Sequence, residues 1–190
     1  VGNENTKHFE NDIGFAIRSG KEKVFFEKLE LSRLIMSWQV PESNDQKATV
    51  GLEMLASLLV DGRNSKLGKP LQEEQNLVES LNIELNKGEF GSLIILEACC
   101  SRKNLNLVEK KINEILRKFI ETENYSQEEL IKAKRIVESN YFFNLETSIQ
   151  KSRFFGNNLL WDRKDPIKEL KKNLEFWNSK KNFNKIIKFL

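Results

Sequence analysis

The run FGSLIILEACC, residues 90–100, constrains the fold more than any other stretch of the chain. Side chains alternate across a strand, and here both alternating sets are apolar: Leu93 and Ile95 on one side, Ile94, Leu96 and Ala98 on the other. Such a strand belongs at the centre of a sheet, covered on both faces. It is expected over residues 89–100. The NKGE stretch before it, with Gly88, supplies a hairpin turn from a partner strand over 77–86. In that partner Leu77, Leu81, Ile83 and Leu85 recur at every second position, and Glu79 stands in the same series. A carboxylate in a row of leucines needs an explanation.

The rest of the chain alternates between two hydrophobic periods. Residues 22–28 and 31–40 have strand character, and Pro41, which has no N–H for a ladder, stops the second run. Val50, Met54, Leu55, Leu58 and Leu59 then recur at helical spacing, with Gly62 as the C-cap. NSKLGKPLQEEQ reads as a short second helix capped by Asn64 or Ser65. After the two central strands the chain turns helical. Leu105, Val108, Ile112, Ile115 and Phe119 form one stripe. Ser126 and Glu129 form a capping box at the head of the next helix. SIQKSRFFGNNLLW is a further helix, and Asp165 before Pro166 marks another start. A last amphipathic helix sets Phe183, Ile186, Ile187 and Leu190 in register. Strands, then helices, then strands, then helices, without βαβ alternation, give an α+β fold: an antiparallel or mixed sheet with helices packed on one face.

Length allows one domain, 22–190, preceded by a polar arm over 1–21. The balance of 31 basic against 28 acidic residues, interspersed, excludes a nucleic-acid footprint. The lysine-rich end carries Trp177 and Phe183, but at helical spacing toward a core, with the lysines on the wet side. No apolar run approaches the ~20 residues of a membrane span. The expectation is a soluble protein, cytoplasmic rather than secreted, with no membrane and no nucleic acid among its partners. The chain begins without Met, which suits a fragment of a longer protein, and its Asn, Lys, Ile and Phe content suits an AT-rich bacterial genome.

Chemistry-bearing motifs are few. His8 is the only histidine, so no two-histidine zinc site and no Ser-His-Asp arrangement is available near the strands. Cys99 and Cys100 are adjacent at a strand end, a geometry that disfavours a mutual disulfide. DGRNSKLGKP lacks the spacing of a phosphate-binding loop. Glu73/Glu74 and Glu128/Glu129 are neighbours that diverge on a helix, and solvated faces account for them. No catalytic residue and no metal ligand is expected in this chain.

The order of segments nevertheless has a likeness. Gly62-Arg63-Asn64-Ser65-Lys66-Leu67 fits a G-x-x-S-x-L turn. LQEEQNLVE, residues 71–79, stands where L-R-E-E-x-G-L-A-Y is found, and Ser126, Glu128, Glu129, Leu130, Ala133 and Lys134 fit T-x-E-E-L-x-x-A-K. Over residues 22–190 the chain resembles the C-terminal half-domain of the insulinase-like zinc metallopeptidases, the group of pitrilysin and the mitochondrial processing peptidase. The resemblance implies two similar α+β halves closing around a peptide, with zinc held by the other half through an inverted His-x-x-Glu-His motif. It implies that this half contributes an Arg and a Tyr, seven residues apart, toward the substrate and the tetrahedral intermediate. Those positions fall on Gln72 and Glu79. Glutamate offers no donor and would repel an oxyanion, and glutamine keeps a donor without charge. The chain also ends before the last strand such a half would have.

The expected function is therefore a non-catalytic half-domain that walls a peptide-binding chamber. Zinc is expected only in a partner half, in the same chain or another, and a homodimer is the other possible pairing. The chain alone is expected not to be an enzyme, while the parent assembly would be a zinc-dependent endopeptidase. The competing readings are a catalytically dead homologue acting as a scaffolding subunit, and an unrelated α+β binding module. Glu79 is expected to face a wet chamber, or else to be an exposed strand end.

Overall fold

The computed structural model describes residues 20–22, 24, 30–88, 91–160 and 163–190. His8, the expected strand over 22–28 and most of the expected polar arm lie outside the described residues.

Three strands form one antiparallel sheet in the order β1-β3-β2: β1 is Leu31–Val40, β2 is Ser80–Asn86 and β3 is Ser92–Ser101. The register pairs Leu31 with Ser101 through Val40 with Ser92, and Ser80 with Cys99 through Asn86 with Leu93. β3 is central, as its composition requires. Its even-numbered residues, Ser92, Ile94, Leu96, Ala98 and Cys100, are buried. Leu34, Met36 and Trp38 of β1 and Leu81, Ile83 and Leu85 of β2 stand beside them on the same face.

The other face of β3 corrects the expectation of cover on both sides. Leu93, Ile95, Glu97 and Cys99 are only half-buried, and no element among the described residues lies over them. Their lateral neighbours explain how this is tolerated. Arg33, Ser37 and Gln39 on one side, with Ile35 exposed among them, and Asn82, Glu84 and Asn86 on the other flank them, and all but Ile35 are polar. They shield Leu93 and Ile95 from the edges, and the Arg33–Glu97 ion pair (3.0 Å) spans the same surface. Antiparallel sheets commonly leave one face to solvent in this way.

The helices occupy the opposite face. α1 (Gln46–Val60) starts where Asp45 accepts the Ala48 N–H at 2.8 Å. It is buried almost all round, because it lies between β2 and three helices: α3 (Gln127–Phe143), α5 (Pro166–Trp177) and α6 (Lys180–Ile187). α2 (Leu105–Thr122) packs on β1 and β3 through Val108, Ile112, Leu116 and Phe119. Leu116 replaces Ile115 in the expected stripe, and Ile115 is half-buried beside it. Both expected caps are present. Ser126 and Glu129 close a capping box on α3, and Asp165 accepts the Lys168 N–H ahead of α5. Trp177 and Phe183 are buried, with the Trp177 indole N–H donating to the Lys47 carbonyl at 2.6 Å. α4 (Ser148–Leu160) completes the set. No helix of the described residues is long and apolar enough to cross a membrane.

Candidate functional site

The chain between α1 and β2 carries both candidate residues. Leaving α1, it turns at Gly62 (φ +82) and folds back on the helix it has left. The Lys66 N–H reaches the Leu58 carbonyl at 3.2 Å and the Leu67 N–H reaches that of Leu59 at 2.8 Å, which satisfies two orphan carbonyls at the helix end. Leu67 and Leu71 are sealed in the core and fix the segment in place.

The expected second helix is much shorter, a wide π-type turn over Lys69–Glu74, and neither Asn64 nor Ser65 caps it. The backbone at 66–67 is already committed to α1, so helical winding begins only at Gly68. The Leu71 carbonyl then accepts from both Leu77 (2.8 Å) and Val78 (3.3 Å), which reverses the chain. Asn76 makes this possible by adopting a left-handed conformation (φ +46). The family motif has glycine at that place, and asparagine is among the few residues that tolerate it.

The reversal also explains Glu79. Val78 is buried and Leu81 is half-buried against the core, but Glu79 and Ser80 between them are both exposed. Two consecutive outward residues break the period-two row, so the carboxylate never joins the leucines. The Glu79 N–H donates to the Cys99 carbonyl at 2.8 Å, which starts the β2–β3 ladder. Glu79 is thus an exposed residue at the head of β2.

The two candidate positions meet. Gln72 Nε2 donates to the backbone carbonyl of Glu79 at 3.0 Å. One amide donor is therefore engaged by the chain itself. The pair can hydrogen-bond a polar peptide but presents no positive charge to an oxyanion. The Glu79 charge also reaches inward. Burial raises the Cys100 thiol pKa, and Cys99 and then Glu79 raise it further. Both cysteines are free, with Cys100 buried as a small apolar residue. Among the described residues no group of three His, Cys, Asp or Glu side chains could hold a metal ion.

Two polar clusters were not visible in the sequence. Glu129, expected on a solvated face, is half-buried against Lys66 across a cavity of about 530 Å³ lined by Ser57, Ser65 and Lys132. Glu53 pairs with Lys87 at 2.7 Å beside a second cavity of about 490 Å³ lined by Tyr141, Ile83 and Phe154. The partners are 63 and 34 residues apart, and no local pattern links them.

Residues 4–137 match the family described as the Peptidase M16 inactive domain. The chain belongs to that family. The M16 inactive domain seen here superposes on a protease from Helicobacter pylori with a TM-score of 0.76 at 19% identity, covering 87% of this chain and 40% of that one. It also superposes on an inactive peptidase domain from Bordetella parapertussis (TM-score 0.72, 12% identity, 83% of this chain and 84% of that one). A chain of the complex III dimer from Candida albicans is a third (TM-score 0.71, 14% identity, 85% and 40%). At these identities the likeness is one of fold. The M16 inactive domain spans well under half of the Helicobacter and Candida chains. No curated relative matches its sequence. Family and fold are those the Gly62–Leu67 turn and the 71–79 segment led one to expect, with α+β layers and helices on one face of the sheet.

Proposed function

We propose that this M16 inactive domain is the non-catalytic half of a zinc-peptidase assembly and forms part of the wall of its peptide-binding chamber. The observation that carries this reading is the pairing of Gln72 with Glu79. Both residues stand exposed at the positions of the family's Arg and Tyr, joined to each other and without the charge or the phenolic donor those residues would supply. The uncovered sheet face supports it too. Leu93 and Ile95 form a shallow apolar strip flanked by polar side chains, a surface on which an extended peptide can lie. Residues 22–190 would be the domain and 1–21 an arm. Hydrolase activity would then reside in a zinc-bearing partner half, in a bacterial cytoplasm.

A second reading, a scaffold that keeps the shape without the chemistry, is favoured by Glu79 itself, whose charge opposes an oxyanion. Metal analysis of the native assembly separates the two. About one zinc per pair of half-domains, with cleavage of an unstructured peptide, supports the peptidase wall. An assembly without zinc and without cleavage supports the scaffold. Stoichiometric zinc on this chain alone would overturn both.

A further inference from the structure

Helix α4 turns its apolar stripe away from its own domain. Inward it offers Phe154, whose ring meets Tyr141 edge-on at 6.2 Å, and the buried Asn158. Asn158 Oδ1 accepts from Arg163, and the same guanidinium donates to the carbonyls of Ser43 (2.7 Å) and Asn44 (3.2 Å). The helix is joined to the rest of the fold through these few contacts at its inner side and its end. Outward it presents Ile149 (67% exposed), Phe155 (42%), Leu159 (72%) and Leu160 (83%). At 3.6 residues per turn these four fall within an arc of about 140°. Lys151 and Arg153 border that arc on its two sides, and α4 carries no acidic residue. Six of the ten exposed large hydrophobic residues among the described ones lie between Phe142 and Leu160. Scattered apolar side chains need no partner, but a concentration on one helix marks an interaction surface.

We propose that the outer stripe of α4 is the docking surface for the partner half-domain, through a protein surface apolar at its centre and acidic at its rim. The inference rests on the reading that this half works in a pair. Charge selects the occupant. A second copy bound through the same stripe would offer Lys151 and Arg153 no carboxylate, because α4 has none. An anionic membrane is recognised by clusters of several cations, and this helix has two. The Helicobacter chain, of which this domain covers 40%, builds the same fold beside further protein.

The test is site-specific photo-crosslinking in the native assembly, with benzoylphenylalanine at position 159 and, as a control, at the exposed position 118 on α2. Crosslinking from 159 and not from 118, to an M16-type chain or half carrying a zinc motif, is the expected result. Crosslinks from 159 to a second copy, to lipid, or to nothing would overturn the proposal. L159R should weaken binding of that partner by about 30-fold or more, as loss of an interface hot spot does, while leaving the thermal midpoint of this chain unchanged. Binding unaffected by L159R would also overturn it. A zinc-free partner crosslinked at 159 would leave the docking surface standing and count against the peptidase reading instead.

Discussion

Lys66 donates its ammonium to both oxygens of the Glu129 carboxylate, at 2.7 and 2.9 Å. The pair ties the turn that carries Gln72 to the first turn of α3. Glu129 closes the capping box as well, accepting the Ser126 N–H at 2.7 Å. Burial alone would raise its pKa. The hydrogen bonds from Lys66 and Ser126 and the charges of Lys66 and Lys180 outweigh burial, and the pKa is lowered.

A group whose folded pKa is depressed stabilises the fold above its unfolded value, about 4.3 for glutamate, and that contribution is lost as pH falls through the folded value. Lys66→Met should cost about 1–2 kcal/mol at neutral pH, between the values for exposed and buried pairs, because the two side chains are 20% and 33% exposed. Urea titrations at pH 7 and pH 3 check this. The gap between wild type and variant should narrow at the lower pH.

The chain has two tyrosines, and neither should ionise at its ordinary pH. Burial first, then the nearby Glu123, pushes Tyr125 up to about 12. Burial, with the charge and hydrogen bond of Glu53, pushes Tyr141 well up despite Arg163. Raised folded values mean that the stabilisation is present below about pH 10 and lost as pH rises through the folded pKa. Tyrosinate absorbance at about 295 nm should therefore stay flat through pH 10, where free tyrosine is half-ionised, and rise together with the loss of circular dichroism.

Two glycines in helices should respond to alanine with opposite sign. A Cβ on Gly51 would come within 2.8 Å of Ile186 Cγ1 and of Trp177 Cε2, where α1 meets α5 and α6. Overpacking of about 1–3 kcal/mol exceeds the ~1 kcal/mol gained in helix propensity. Gly156 has nothing within 4 Å, so the gain is uncompensated there. Thermal melts of the isolated chain should show G51A lowered and G156A raised.

Restoring the family residues should not disturb the fold. Gln72 and Glu79 are both exposed, so Q72R/E79Y should fall within about 0.5 kcal/mol of wild type. In a zinc-bearing assembly the double variant should cleave an unstructured peptide at least tenfold faster, since each oxyanion donor contributes about 10²–10³. Peptide turnover by the reconstituted assembly is the measurement. No change would show that the pair does not face the scissile bond.

The sequence disclosed what depends on near neighbours. Capping at Ser126 and Asp165, the hairpin at Gly88 and the central place of β3 each follow from residues a few positions apart. Cover on both faces of β3 was misread because periodicity counts apolar residues without knowing which polar strands will flank them. The helix at 64–75 is shorter than its pattern because the Lys66 and Leu67 N–H groups are taken by α1, a contact that no local pattern encodes. Glu79 was expected to face a wet chamber or to be an exposed strand end, and it is exposed at the head of β2, but the left-handed Asn76 before it could not be read from simple alternation. The Lys66–Glu129 and Glu53–Lys87 pairs join distant segments and could be found only in three dimensions.

The arrangement at the head of β2 has an evolutionary corollary. Because positions 79 and 80 are both exposed while Val78 and Leu81 hold the strand, the packing of the core does not depend on which side chain occupies position 79. Selection for a folded protein is blind there. The side chain at this corner can therefore change by single substitutions without crossing a stability threshold, and a domain of this family can keep its structure whatever residue stands there.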